Sequence, residues 1–243
     1  MGYIAEQRRV TVAQLCAKFS ISEATARRDL DLLSKQGKIQ RVHGGAIIAR
    51  SPLPEQPVLQ RLVEQADEKK RIGRAVAQLI HDNETVYLGT GTTVVEVARN
   101  LAERKNLTVI TNSLLVINTL VDLPDITLIG LGGVFRRSEL SFIGHIAQQS
   151  LSEVRADKVV ISVGAVDAEQ GLTNHYLPET MTDRAILQIG RQVIVAVDHN
   201  KCGRVSAAFL APLTAVHTLV TDSQTPAEFV DAVRAQGIAV YQV

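Results

Sequence analysis

The chain has 243 residues, 46% of them hydrophobic, which suits one large or two modest domains with a real core. Aromatic residues make up only 4%, with no Trp, so the core must be aliphatic, which argues against a base-stacking surface for single strands. The net charge of +1 conceals an asymmetry: residues 1–50 hold nine Lys/Arg against four acids and the remainder 17 against 21, so only a basic head is expected to meet a polyanion.

Met1–Gln7 reads as the tail of a helix and is short for the first helix of a three-helix head. Either that helix is short or the sequence begins inside it, and the head core of Leu15, Ile21 and Leu30 is then expected to be weakened unless a partner subunit covers it. Arg9–Val12 reads as a connector. Thr11 and Gln14 have capping-box spacing for a helix over Val12–Phe19, with Val12, Leu15, Cys16 and Phe19 apolar. Ser20–Ser22 forms a corner with Ile21 as its buried plug. Ser22 can cap a helix running to Leu33, because its hydroxyl can accept a first-turn amide. Ala26, Leu30 and Leu33 recur at i, i+4 and i+7 and mark its buried stripe, leaving Thr25 and Arg28 on other faces with Arg27 close by.

Lys38–Ile48 then reads as a hairpin turning at Gly44–Gly45. Helix, turn, helix and hairpin make a winged helix-turn-helix. In that layout Arg27 and Arg28 meet phosphates or base edges in a major groove, and Arg41 and His43 on the wing reach the backbone or minor groove. His43 has an alternative role as a turn residue that packs. The head is therefore residues 1–50. Ser51–Pro57, with three prolines in seven residues, opens a semi-stiff arm over 51–66.

Residues 67–243 alternate. A helix is expected over Asp67–Ile80. Short aliphatic runs read as buried parallel strands at Val86–Leu88, Thr108–Thr111, Thr127–Leu131, Val159–Val163, Val193–Val197, Thr218–Thr221 and Ala239–Tyr241. Helical stretches lie at Thr93–Arg104, Leu114–Val121, Ala147–Ser152, Glu179–Gly190 and Ala227–Gln236, the last capped by Thr225 with Pro226 in its first position. The fold class is α/β, with ligands expected beyond the carboxyl ends of strands.

There the run Gly89–Thr90–Gly91–Thr92–Thr93 leads from a strand into a helix. Its glycines, hydroxyls and helix amides can cradle a phosphate, although a merely tight turn would read the same way. It lacks the Gly-Lys-Ser/Thr ending of a P-loop and the third glycine of a dinucleotide fingerprint. Other polar residues that follow strands are Asn112, Gly132, Gly133, Asp167, His175, Glu179, Asp198 and Lys201. With a phosphate loop they could bind a sugar phosphate, or rearrange one by proton transfer with Glu179 as base or nucleophile and Lys201 as support. A basic head argues against an enzyme as the sole function. Cys16 and Cys202 form no disulfide or metal pattern, no His/Cys/Asp cluster has metal spacing, and no cofactor is indicated. No apolar run of 18 residues or signal peptide is visible, so a cytoplasmic protein without a membrane partner is expected.

With both halves read, the chain resembles the DeoR/GlpR-type family of bacterial transcriptional regulators. The resemblance rests on S-x-x-T-x-R-R-D-L at Ser22–Leu30 and G-K-I-Q-R-V-H-G-G-A at Gly37–Ala46. It continues through Gly91–Thr93, Thr111–Ser113, Gly132–Gly133, Ala156–Asp157, Gly171–Thr173, Glu179, the pair Asp198 and Lys201, and Thr221–Asp222. It implies a winged head on operator double-stranded DNA and an effector domain similar to the ribose-5-phosphate isomerase and CoA-transferase fold group. It also implies a homo-oligomer, dimer or tetramer, that represses a sugar-catabolic operon until a phosphorylated sugar or related metabolite binds. The chain departs from the family in having Gly89–Thr90 where an aspartate-serine pair is common, which puts the recognition of sugar hydroxyls in doubt.

Overall fold

The computed structural model describes Tyr3 and residues 9–35, 39–42, 44–48 and 56–243, and the chain divides into the units Met1–Pro54 and Glu55–Val243. The expected first helix over Met1–Gln7 lies outside the described residues apart from Tyr3.

In the first unit the capping box forms as its spacing predicts. The Gln14 amide donates to Thr11 Oγ1 at 3.2 Å and the Thr11 amide to Gln14 Oε1 at 2.8 Å, starting α1 (Val12–Phe19). Ser20, left-handed at φ 52°, ends it. The Thr25 amide donates to Ser22 Oγ at 3.2 Å and starts α2 (Glu23–Lys35). Arg9–Thr11 is not a plain connector but a strand, β1, antiparallel to β3 (Gly45–Ile48), which pairs in turn with β2 (Ile39–Val42). The reason is burial: Val10 lies opposite Ala46, and both close the core that Val12, Leu15, Ala26, Leu30 and Ile39 build. Val42 pairs with Gly45, so Gly45, expected in the hairpin turn, belongs to a strand, while Gly44 lies in a turn at φ 77°. Ile21 is half-buried at the margin of this core, and Phe19, expected inside, is 52% exposed with its ring edge-on to Tyr3.

The second unit is built on seven parallel strands in the order β15-β14-β12-β9-β4-β5-β6. These are β4 (Thr85–Leu88), β5 (Leu107–Thr111), β6 (Ile126–Gly130), β9 (Ala156–Ile161), β12 (Gly190–Ala196), β14 (Thr218–Thr221) and β15 (Ala239–Gln242). Every strand expected from the aliphatic runs is present. Their side chains alternate between two cores. Val86, Leu88 and Val160 face one, with Ile72 and Val76 of α4 (Ala66–Gln78), Val94 and Val97 of α5 (Thr92–Arg99) and Val116 of α6 (Leu114–Leu120). Tyr87, Val159 and Ile161 face the other, with Leu151 of α7 (His145–Ser152), Ile186 of α8 (Leu177–Ile189) and Phe229 of α9 (Ala227–Arg234).

Antiparallel pieces that the alternating pattern did not suggest complete the unit. β7 (Val134–Arg136) pairs with β8 (Ser141–Ile143), and β11 (Gly171–Asn174) lies between β10 (Ala165–Asp167) and β13 (Ala208–Ala211). The arm expected over 51–66 is, from Pro57, part of this unit: α3 (Val58–Arg61) buries Val58, whose amide donates to Ser138 O at 2.7 Å. Thr225 does not cap α9. Pro226 occupies the cap, and the Thr225 hydroxyl bonds Thr221 Oγ1 at 2.6 Å. Among the described residues no helix is long and apolar enough to cross a membrane, and no three His, Cys, Asp or Glu side chains converge as metal ligands.

Cys202 is buried, which pushes its thiol pKa up to about 11, while Cys16 is half-buried at the head margin. At pH 8 a disulfide reagent is therefore expected to titrate one thiol per native chain and both in denaturant. Two fast-reacting native thiols would contradict the packing around Cys202.

Candidate functional site

On α2, Thr25, Arg27 and Arg28 are exposed while Ala26 and Leu30 face the core. Ser22 and Thr25 are tied together by hydroxyls 2.9 Å apart, so Ser22 acts first as a helix cap. Arg27 donates to Glu23 one turn earlier at 3.3 Å, with both side chains more than half exposed. Such a pair is weak and is easily given up for a phosphate. Arg28 lies beside it on the open surface. The Arg41 backbone pairs with Ala46, but its side chain and the whole of His43 lie outside the described residues.

In the second unit, chain order reverses between β4 and β9. β5 and β6 follow β4 on one side, while β9, β12, β14 and β15 extend from the other. The loops leaving two such strands diverge and open a crevice at their carboxyl ends. Thr90 and Gly91 line it from the β4 side, and Ser162, Val163 and Gly164 from the β9 side. Gly91 is the cap of α5 with φ 98°, a conformation that favours glycine. A Cβ there would lie 3.5 Å from the Ser162 side chain across the crevice. No side chain caps α5, so its first amides keep their capacity for an anion.

Charged groups reach the crevice from four other elements: Arg61 of α3, Glu139 of the β7–β8 loop, Glu179 and Asp183 of α8, and Lys201 of the 3₁₀ turn His199–Lys201. Arg61 is paired with Glu139, and Arg136 with Glu179, which is 5% exposed. Arg136 also lies over the Tyr176 ring at 4.6 Å. Asn174 is a strut, accepting from the Gly164 amide at 2.8 Å and donating to Asp183 at 2.7 Å. Lys69 donates to Arg61 O at 2.7 Å and to Glu64 O. Burial pushes the Lys69 pKa below the ordinary lysine range, Asp198 works against this, and the nearby charges of Arg61 and Lys201 add to it.

Of the residues expected around an effector, the crevice brings together Gly91, Glu179 and Lys201. The others lie off it. Thr92 and Thr93 are buried in the first turn of α5, and the neighbouring Thr90 faces the crevice instead. Asn112 is buried as a fastener: it accepts from the Tyr87 hydroxyl at 2.7 Å and donates to Phe142 O at 2.9 Å. Gly133, at φ 147°, leaves room for Ile143 O, which a Cβ would meet at 2.6 Å, and Gly132 precedes it in the same turn. Asp167 accepts from the Glu169 and Gln170 amides at 2.9 Å and shapes a hairpin turn. His175 is not among the residues lining the crevice; its ring edge lies close to Gly164, where a Cβ would meet Cδ2 at 3.1 Å. Asp198 is buried, caps the 3₁₀ turn through the Asn200 amide at 3.0 Å and so positions Lys201.

The sequence reading missed Arg61, Glu139, Ser162 and Asp183, and named Thr90 only as part of the glycine–threonine run. Asp183 carried a usable signal, lying four residues from Glu179 on one helix face. Arg61 carried none, since Glu139 is 78 residues away. A larger open hollow of about 670 Å³ lies at the amino ends of β9, β12 and β14, where Lys158 pairs with Glu84 and Arg191 with Asp157.

The same two-part division emerges from comparison with known proteins. Residues 1–51 match the model of the DeoR-like helix-turn-helix domain, and residues 64–223 that of the DeoR C terminal sensor domain. The chain belongs to the DeoR family. It is thus a DNA-binding transcriptional regulator. Relatives include the transcriptional repressor AccR of Agrobacterium fabrum, 34% identical over 91% of this chain and 86% of that one. The glycerol-3-phosphate regulon repressor of Escherichia coli is also 34% identical, over 92% of this chain and 88% of that one. A ribose 5-phosphate isomerase from Methanocaldococcus jannaschii superposes with TM-score 0.43 and 17% identity, over 57% of this chain and 55% of that one.

The pairing inside the sensor domain has a measurable cost. Arg136→Ala removes a neutralising charge from a buried carboxylate and is expected to destabilise the domain by about 3 kcal/mol in urea unfolding. Adding Glu179→Gln is expected to recover part of that loss. Equal stability of Arg136→Ala and the parent would mean that solvent reaches Glu179.

Proposed function

We propose that this regulator represses a carbohydrate-catabolism operon and is controlled by a phosphorylated sugar or related metabolite bound in the crevice of the sensor domain. The observation that carries the reading is the convergence of Gly91, at the uncapped start of α5, with Lys201 and Glu179 at the point of strand reversal. Helix amides and a lysine suit a phosphate, and buried carboxylates suit hydroxyls. Asp198 acts through Lys201, and Thr92 and Thr93 contribute backbone amides. Asn112, Gly132, Gly133, Asp167 and His175 shape the surrounding loops. The name of the glycerol-3-phosphate relative agrees in chemical class.

At the other end of the chain, α2 enters the major groove of operator DNA, with Thr25, Arg27 and Arg28 outward and Ser22 holding the helix start. Arg41 and His43 act from the wing. The regulator works in the cytoplasm as a homo-oligomer, so that two heads meet two operator half-sites. The effector changes DNA affinity only as far as it binds the DNA-competent and released arrangements differently.

Two variants separate input from output. Lys201→Ala is expected to abolish the thermal shift given by the effector, about 2.7 kcal/mol of stabilisation at a hundredfold excess over Kd, and to leave DNA binding unchanged. Arg28→Ala is expected to keep the shift and to lower the slope of log affinity against log salt on duplex DNA by about one. A normal effector response in Lys201→Ala would sink the site assignment.

A further inference from the structure

The crevice is nearly full. Its free space is about 30 Å³, room for a water or two and far below the roughly 300–1,000 Å³ of a small-molecule site. A phosphorylated sugar can enter only if a wall moves. Most walls are stiff: the 89–91 and 162–164 loops leave central strands, and Asn174 fastens Gly164 to α8. α3 is different. It is a single turn of four residues, held by the Val58 side chain, by the Val58 amide on Ser138 O, by Arg61 on Glu139, and by Lys69 on its last carbonyl. Two of these ties end on consecutive residues, Ser138 and Glu139. In sequence, α3 is also the first element after the segment that leads from the DNA-binding head.

Resting on the effector reading above, we infer that Arg61 is the anion-binding arginine of the sensor, delivered by α3, and that the ligand's phosphate takes the place of Glu139 on it. The guanidinium fork fits two phosphate oxygens as well as two carboxylate oxygens. The exchange leaves the number of anions facing Arg61 unchanged, so it avoids the cost of burying an extra charge. Glu139, displaced, moves with Ser138, and α3 loses both ties at once. Ligand entry and release of the tether to the head are then one event. Lys201 and the α5 amides hold the phosphate from the stiff side of the crevice, and Arg61 reports it from the movable side.

Hydrogen exchange of the full-length chain tests this first without ligand. Glu139→Gln is expected to speed exchange of the Val58–Arg61 amides about tenfold and to leave Thr85–Leu88 protected. Unchanged exchange in α3 would overturn the latch. Inorganic phosphate, glycerol 3-phosphate and glucose 6-phosphate then serve as probes. A probe that raises the Tm of the wild type is expected to speed α3 exchange in the wild type, a reading that needs no variant. It is also expected to bind Arg61→Gln at least about tenfold more weakly, with Arg61→Lys in between. Wild-type affinity in Arg61→Gln, or α3 exchange untouched by a bound probe, overturns the inference while the effector reading stands. No Tm shift from any of the three in the wild type counts against both.

Discussion

The parallel pairing of β4 with β9 sets the rest of the sensor domain. Chain order reverses there, so the loops after these two strands cannot lie side by side, and a polar crevice opens at the end of an aliphatic sheet. A crevice lined by ionisable side chains and cut off from water is costly unless those side chains are paired. Glu179 is answered by Arg136 from β7, Glu139 by Arg61 from α3, and Asp183 by Asn174 from β11. Each pairing draws a distant element onto the carboxyl end of the sheet. The β7–β8 ribbon and α3 gain ties to the sheet from this charge balance, while the β10–β11–β13 ribbon also buries Val166, Leu172 and Leu210 in the core. Val134 and Phe135 of β7 remain largely exposed.

Much of this was legible in the sequence, for a definable reason. A strand buried on both faces must be aliphatic along its whole length, and all seven aliphatic runs became strands, although the edge strands β6 and β15, expected to be buried, are largely exposed. In the head, the capping box and the i, i+4 stripe of Ala26 and Leu30 are local codes, and local geometry honoured them. The antiparallel pieces were not legible, because segments of three or four residues owe their conformation to what they lie against. Arg9–Thr11 is a strand only because Ala46 offers Val10 a partner. In the crevice, Gly91 could be read because it lies between β4 and a helix start, and Glu179 and Lys201 because they are charged residues at the start of a helix and shortly after β12. Asn112 directly follows β5 and Asp167 ends β10, yet their side chains are spent on Phe142 O and on a turn. Position after a strand marks candidates; only the partners of each side chain decide between binding and fastening.

The two units use charge in opposite ways. On α2 the arginines are exposed and at most loosely paired, as with Arg27 and Glu23, so a polyanion meets them with little to displace. In the sensor domain the cations are committed, half-buried Arg61 to Glu139 and buried Lys69 to Arg61 O and Glu64 O. An anion bound there, as proposed, would have to compete, and the competition would make the site informative. A ligand that merely filled an empty cavity would add stability without changing which contacts are made. One that replaces a resident carboxylate alters the bonding of every element that carboxylate was holding. On the reading proposed above, the buried pairs that line the crevice would give ligand binding a structural consequence, and the small volume left free, about 30 Å³, fits that reading.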